Sequence, residues 1–184
     1  AHGNSISWDE KYSDEVYTYL LIERTIEIKR DWSSQETTRI ICRVQKEGAK
    51  SLGEIPIDYD RSFQELKNIK AVITTPDGMK LSYKSIQDLN PYSGEPLYSD
   101  SRTKVITMPN VIPGSIIDWR VTTVTKKPII KDTFWDILDF TSETPVKSFT
   151  YKLIIYKNMP IKIMNHNMDV EPTIEAHGAK IIYT

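Results

Sequence analysis

The stretch "VYTYLLIERTIEIK", residues 16–29, alternates apolar and polar side chains. A strand sends successive side chains to opposite faces, so period two over this length predicts a long strand with one face in a core. Val16, Leu20, Ile22, Ile26 and Ile28 fall on one face, together with Thr18 and Arg24. Glu23, Thr25, Glu27 and Lys29 fall on the other. Arg24 interrupts the apolar row, and three explanations stay open: a bulge, a sheet end or a paired charge.

The pattern recurs along the chain. "DWSS", residues 31–34, reads as a turn, and "TTRIICRV" then places Ile40, Cys42 and Val44 on one face, so these two stretches predict an antiparallel hairpin. "LGEIPIDYD" carries Pro56 inside an apolar run, which suits an edge or irregular strand. In "NIKAVITTPDGMKLSY", Ile69, Ala71 and Ile73 lead into Thr75-Pro76-Asp77-Gly78. Pro presets φ, Asp accepts backbone bonds and Gly takes the left-handed position, so a second hairpin is expected there. "YKSIQDL" reads as one helical turn before the loop "NPYSGEP". "TKVITMP" and "SIIDWRVTTVT" read as strands joined by "NVIPG", and "SFTYKLIIYK" as another. "PIKIMNHN" and "AKIIYT" are expected to pair across "DVEPTIEAHG".

Roughly nine to eleven short strands with little helix predict an all-β fold, an antiparallel β-sandwich forming one module over residues 1–184. "AKIIYT" is strand-like with no polar tail, which predicts that Thr184 lies inside a longer protein of which this module is an N-terminal piece.

Composition narrows the function classes. Lys and Arg number 24 against 25 Asp and Glu, a balance that lacks the basic excess of a general nucleic-acid binder. No apolar run approaches the roughly 20 residues of a membrane-spanning helix, and Ala1 to Ser7 form no leader pattern. The single cysteine, Cys42, excludes an internal disulfide and a multi-cysteine zinc site. It sits mid-strand on an apolar face and reads as a buried small hydrophobe rather than a nucleophile. His2, His166 and His177 show no metal-ligand spacing. His166 with Asp169 and Glu171 is the nearest approach to a metal set, and polar turn residues are the preferred interpretation. Asp58 with Asp60, and Asp136 with Asp139, are close in sequence only, so capping or solvated roles are expected for them. No cofactor is expected.

Two stretches stand out as surfaces. The loop Tyr98-Ser99-Asp100-Ser101-Arg102 precedes a strand, but no G-x-S-x-G elbow surrounds its serines. It reads as a turn in which Arg102 bonds Asp100 or a neighbouring loop, with Tyr98, Asp100 and Arg102 as interface candidates. "DTFWDILDF" is an aromatic run edged by acids; partial burial is expected, with Trp135 reaching an interface. Trp32, in a polar turn, is the tryptophan most expected at the surface.

Taken in order, "LGEIPIDYDRSFQELKNIKAVITTPDGMKL", "PLYSDSRTKVITMPNVIPGSIIDWRV" and "FWDILDF…TPVKSFTYKLIIY" resemble the bacterial domain of unknown function that precedes transglutaminase-like, papain-type thiol domains in exported proteins. The resemblance spans roughly Tyr17 to Tyr156. It implies a noncatalytic all-β accessory module of a periplasmic or extracellular protein, with the downstream domain of the same chain as its partner and the Cys-His-Asp site in that domain. The alternative is a stand-alone sandwich that binds a polysaccharide or a peptide through exposed aromatics.

Overall fold

The computed structural model describes residues 6–92, 100–166 and 170–184. Among these residues eleven strands occur: β1 Tyr17–Ile28, β2 Ser34–Val44, β3 Glu54–Asp60, β4 Gln64–Thr74, β5 Lys80–Ser82, β6 Ser85–Leu89, β7 Ser101–Thr107, β8 Ile116–Thr125, β9 Phe149–Tyr156, β10 Ile174–His177 and β11 Lys180–Tyr183. They form an eight-stranded sheet, β10-β11-β9-β1-β2-β8-β4-β5, and a three-stranded sheet, β3-β7-β6. The architecture is sandwich-like, but the small sheet covers only part of the large one. A short helix, α1 (Trp8–Lys11), and a 3-10 turn (Glu47–Gly53) are the helical elements described. Ser7 and Glu10 close a capping box on α1, and Asp9 of the helix bonds Arg43 of β2.

β1 and β2 form the expected hairpin, with Tyr17 opposite Val44 and Ile28 opposite Ser34. The register shifts between Tyr19 and Leu21. This bulge moves the side-chain alternation by one residue, so the core face of β1 carries Tyr17 and Tyr19 before it and Ile22, Arg24, Ile26 and Ile28 after it. The single uninterrupted face expected from Val16 to Ile28 is corrected accordingly.

The sheet is mixed rather than antiparallel throughout. β9 runs parallel to β1, from Ile22 opposite Phe149 to Glu27 opposite Ile154. A parallel pair needs a long crossover. Residues 126–148 supply it, leaving the end of β8 and returning to the β1 edge, where Val146 bridges Tyr19 in parallel.

Pro56 lies on the edge strand β3, as its missing N–H requires. The Thr75–Gly78 turn joins β4 to β5, with Gly78 at φ 86°. The second Gly turn meets it: a Cβ built on Gly114, at φ 86°, would lie 3.1 Å from Pro76 Cγ. Two expectations fail. "YKSIQDL" is strand β6, not a helical turn, because Ser85–Leu89 pairs with β7. β11 pairs with β10, Ile174–His177, inside the stretch taken for a turn, while residues 161–165 form no strand. β7 and β8 are strands joined through "NVIPG" as expected, and they enter different sheets.

Two apolar cores result, both on the inner face of the large sheet. The first joins Cys42, Val44, Ile73 and Ile117 to Ile55 and Ile106 of the small sheet. The second holds Ile26, Ile28, Leu153 and Ile155, closed by Trp32, Phe134, Tyr151 and Met159. The crossover 126–148, hereafter the strap, covers the second core where the small sheet does not reach.

Candidate functional site

Beneath the strap lies a cleft of about 230 Å³. Its floor is the inner face of β2, β8 and β4 at one end of the sheet. Cross-strand register aligns Ser34 with Thr125, and Thr125 with Gln64; the next row aligns Glu36 with Thr123. Its walls are aromatic, formed by Trp32, Phe63, Phe134 and Trp135.

The β1–β2 turn sets the position of Trp32. Asp31 Oδ1 accepts from Ser33 N at 3.1 Å and Ser33 Oγ at 2.7 Å, and Trp32 takes φ 63°. In this left-handed conformation the indole packs on the second core. The expectation that Trp32 would be the exposed tryptophan is corrected: it is half-buried, whereas Trp135 is 71% exposed.

A charged network fastens the strap. Arg24 Nε donates to Glu36 Oε1 at 2.8 Å, and an Arg24 terminal nitrogen to Asp136 Oδ2 at 3.1 Å. Tyr151 Oη donates to the same Asp136 oxygen at 3.0 Å, and Thr38 Oγ1 to Glu36 Oε1 at 3.1 Å. Burial is the largest single influence on Arg24 and opposes its charge, but the Glu36 hydrogen bond and the nearby Glu36 and Asp136 charges together outweigh it and hold the guanidinium above its ordinary range. Tyr151 is pushed up by burial and by the Asp136 carboxylate. Arg24 is therefore a paired charge, and its partner on the strap was not foreseen. Asp139 caps Thr141, as expected of a turn acid.

Arg102, expected to bond Asp100 or a neighbouring loop, instead bonds Asp88 of the paired strand β6. Asp100 accepts from Arg61 Nε at 2.9 Å. Arg102 Nε donates to Asp88 Oδ1 at 2.9 Å, and Lys104 Nζ and Tyr59 Oη donate to Asp88 Oδ2 at 2.7 and 2.8 Å. Burial alone would raise the Asp88 carboxyl. The bonds from Lys104, Tyr59 and Arg102 outweigh it and hold the group at about 2. The register places Ile55-Ile106-Ile86, then Ile57-Lys104-Asp88, then Tyr59-Arg102 on one face of the small sheet. Arg102 thus extends the inner face as a charge pair. Tyr98 and Ser99 lie outside the described residues, as does Asp169.

Cys42 is 3% exposed, and burial pushes its thiol up to about 12 against the opposing backbone hydrogen bond at Ile117. His177 sits on β10, four strand positions away from β2. At about 4.8 Å per strand this places the two roughly 19 Å apart across the sheet, too far for a thiol–imidazole pair. His177 instead lies 3.4 Å from Glu175.

These features define a class: a two-sheet β module whose long parallel crossover straps the uncovered end of the larger sheet. The model of a domain of unknown function with a solved structure, DUF3857, matches residues 30–184, and the chain belongs to that family. The fold is similar to part of a candidate protease from Parabacteroides distasonis, with a TM-score of 0.78 and 18% identity over 91% of this chain and 35% of that one. The chain thus spans about a third of that protein's length. The M1 zinc metallopeptidase of Deinococcus radiodurans gives a TM-score of 0.43 at 7% identity, over 92% of this chain and 38% of that one. Yeast LTA4 hydrolase gives 0.42 at 9%, over 91% and 26%. Neither of these two carries an argument. No curated protein matches the sequence.

Proposed function

We propose that this module is a noncatalytic accessory domain that docks through its strap against a downstream transglutaminase-like, papain-type thiol domain in an exported bacterial protein, and supports or presents substrate to it. The observation that carries the proposal is the row of exposed apolar side chains along the strap, of which Ile137 and Phe140 lie outside the cleft. Ile129, Ile130, Trp135, Ile137 and Phe140 are all exposed, with Ile129 at 79% and Ile137 at 75%. Clustered apolar side chains facing water mark interaction surfaces. The family resemblance supplies the partner. The P. distasonis relative supports it, since most of that longer chain lies outside the region this module resembles.

Arg102, expected to face the partner, shares the Asp88 carboxylate with Lys104, and the exposed apolar strap is the surface on which docking is tested. The test is side-chain oxidative footprinting of the natural full-length polypeptide beside the 184-residue chain. Ile137 and Phe140 are expected to lose reactivity in the longer polypeptide. Equal reactivity in both, or a natural polypeptide no longer than this chain, ends the docking proposal.

A further inference from the structure

We infer that the cleft beneath the strap is a binding site for a neutral saccharide, independently of any docking partner. The sequence shows why a cleft exists here. The inner face of β2 and β8 is apolar at Cys42, Val44, Ile117 and Val121, then turns polar at Ser34, Glu36, Thr123 and Thr125. Polar side chains on the covered side of a sheet need a reason. In this region they line open space.

Three properties of the cleft select its ligand. First, the floor offers unused side-chain hydrogen-bonding groups. Among the described residues the Ser34, Thr123 and Thr125 hydroxyls take no protein partner; Gln64 engages only its Oε1, with Asp60 N at 2.9 Å. Glu36 receives both its bonds on Oε1, which leaves Oε2 free. Ser34, Thr125 and Gln64 lie in one cross-strand row. Their spacing of about 4.8 Å suits hydroxyls on opposite edges of one pyranose ring.

Second, the walls are indole and phenyl surfaces, with Trp135 at the exposed edge. A sugar ring presents a C–H face to such a surface and hydroxyls at its rim, which matches a cleft with apolar walls and a polar floor.

Third, charge and backbone pairing argue against other ligands. Glu36 and Asp136 are the ionisable side chains lining the cleft, and both are paired with Arg24. No lining cation awaits an anionic ligand. Ser34 and Thr125 also lie on strands paired on both sides, β2 between β1 and β8, and β8 between β2 and β4. An added peptide strand finds no free main-chain ladder on this floor. Recognition falls to side-chain hydroxyls, a carboxamide and a carboxylate oxygen.

The experiment is titration calorimetry of the 184-residue chain with cellohexaose, chitohexaose, xylohexaose, laminarihexaose and mannohexaose, with an acetylated, amidated lysine-containing hexapeptide as the peptide probe. At least one oligosaccharide is expected to bind with a dissociation constant below about 1 mM, a typical weak-site affinity. Trp135→Ala is expected to weaken it tenfold or more, and Thr123→Val with Thr125→Val at least fivefold. Ile137→Ala, outside the cleft, should leave it unchanged. Silence of all five sugars at 10 mM, binding of the peptide alone, or sugar binding indifferent to both cleft variants overturns the inference. Each variant is checked for an unchanged urea midpoint, and Thr123→Ser provides a rescue that restores the hydroxyl. Docking is read at Ile137 and Phe140, so either proposal can fail while the other stands.

Discussion

The two halves of the large sheet's inner face are built on the same strands and differ in what covers them. At one end β2, β8 and β4 present Cys42, Val44, Ile117 and Ile73 to Ile55 and Ile106 of the small sheet. A few residues along, the same strands present Ser34, Glu36, Thr123, Thr125 and Gln64 to a strap and a cleft. The backbone ladder continues through both, so pairing alone does not decide which half is dry. Fully burying an aliphatic side chain stabilises by roughly 1.5–3 kcal/mol, and the covered half concentrates that gain. The polar half is held by pairing on both sides and by a few fixed points on the strap, which leaves its surface free for recognition.

The comparison is broken most forcefully at Ile73. Its side chain is fully buried between the sheets, and removing most of a buried isoleucine leaves a cavity as well as losing transfer energy. Ile73→Ala is expected to lower unfolding stability by about 3–4 kcal/mol, read from urea denaturation. Thr123→Val, in the other half, is expected to stay within about 0.5 kcal/mol. A loss below about 1 kcal/mol at Ile73 would mean that the small sheet does not seal this half.

Arg24 sharpens the contrast, because it ties the strap to the sheet through a charged pair. Arg24→Met leaves the Glu36 and Asp136 carboxylates together without their shared cation. The expected cost is about 2 kcal/mol, below that of a fully buried pair because the side chains keep some solvent access. Adding Glu36→Gln and Asp136→Asn should recover most of it, since a neutral trio carries no unpaired charge. Protease cleavage within 126–148 should accelerate in the single variant and return towards wild type in the triple. An undiminished loss in the triple would assign Arg24 a packing role through its stem instead.

How much of this was legible follows from the range of the interactions. The "PDG" hairpin, the Pro56 edge strand and buried Cys42 could be read because turn chemistry and alternation are local. The bulge at Leu20 could not, because the shift appears only when Tyr19 and Leu21 meet Cys42 and Ile41 on the partner strand. The parallel β1–β9 pair was hidden for the same reason, since alternation is identical in parallel and antiparallel strands. "SIQDL" lacks strong β propensity and becomes a strand through its pairing with β7. For the site, Trp135 was readable as an aromatic edged by acids. The Arg24–Asp136 contact joins residues 112 positions apart, and its one signal was a cation standing in an apolar row. The polar floor also left a trace: Ser34, Glu36, Thr123 and Thr125 continue the alternation but replace its apolar members.

The small sheet contains a milder version of the same contrast, from Ile55-Ile106-Ile86 to the Asp88 cluster on one face. Asp88 is held at about 2 in the folded chain, below the ordinary aspartate value of about 3.9. A depressed folded-state value means that the unfolded chain binds the proton more readily. Its contribution is therefore complete above pH 4 and is lost as the pH falls from about 4 to about 2. Partial exposure of the carboxylate screens it, leaving about 1 kcal/mol. Asp88→Asn should flatten the stability profile in that window and change little of its slope above pH 5. An unchanged acid limb would show that Lys104 and Arg102 do not stabilise the folded carboxylate.

The smallest effect is expected on the strap itself, and it separates the two sides of one segment. Residues 134–137 alternate without forming a strand: Phe134 packs on the second core, Trp135 is exposed, Asp136 bonds Arg24, and Ile137 is exposed. Phe134 and Asp136 fix the segment; Ile137 contributes little to folding, and Trp135 stands at the exposed edge of the cleft. Ile137→Ala is expected to change stability by less than about 0.5 kcal/mol, whereas Phe134→Ala, two positions from Asp136 and on the same side, should cost about 3 kcal/mol. Equal losses at Phe134 and Ile137 in urea denaturation would show that the outward apolar side chains hold the fold, and their exposure would then need a structural explanation. A near-zero loss at Ile137 leaves an isoleucine in water with no folding role, as expected of a residue that works in contact with another surface.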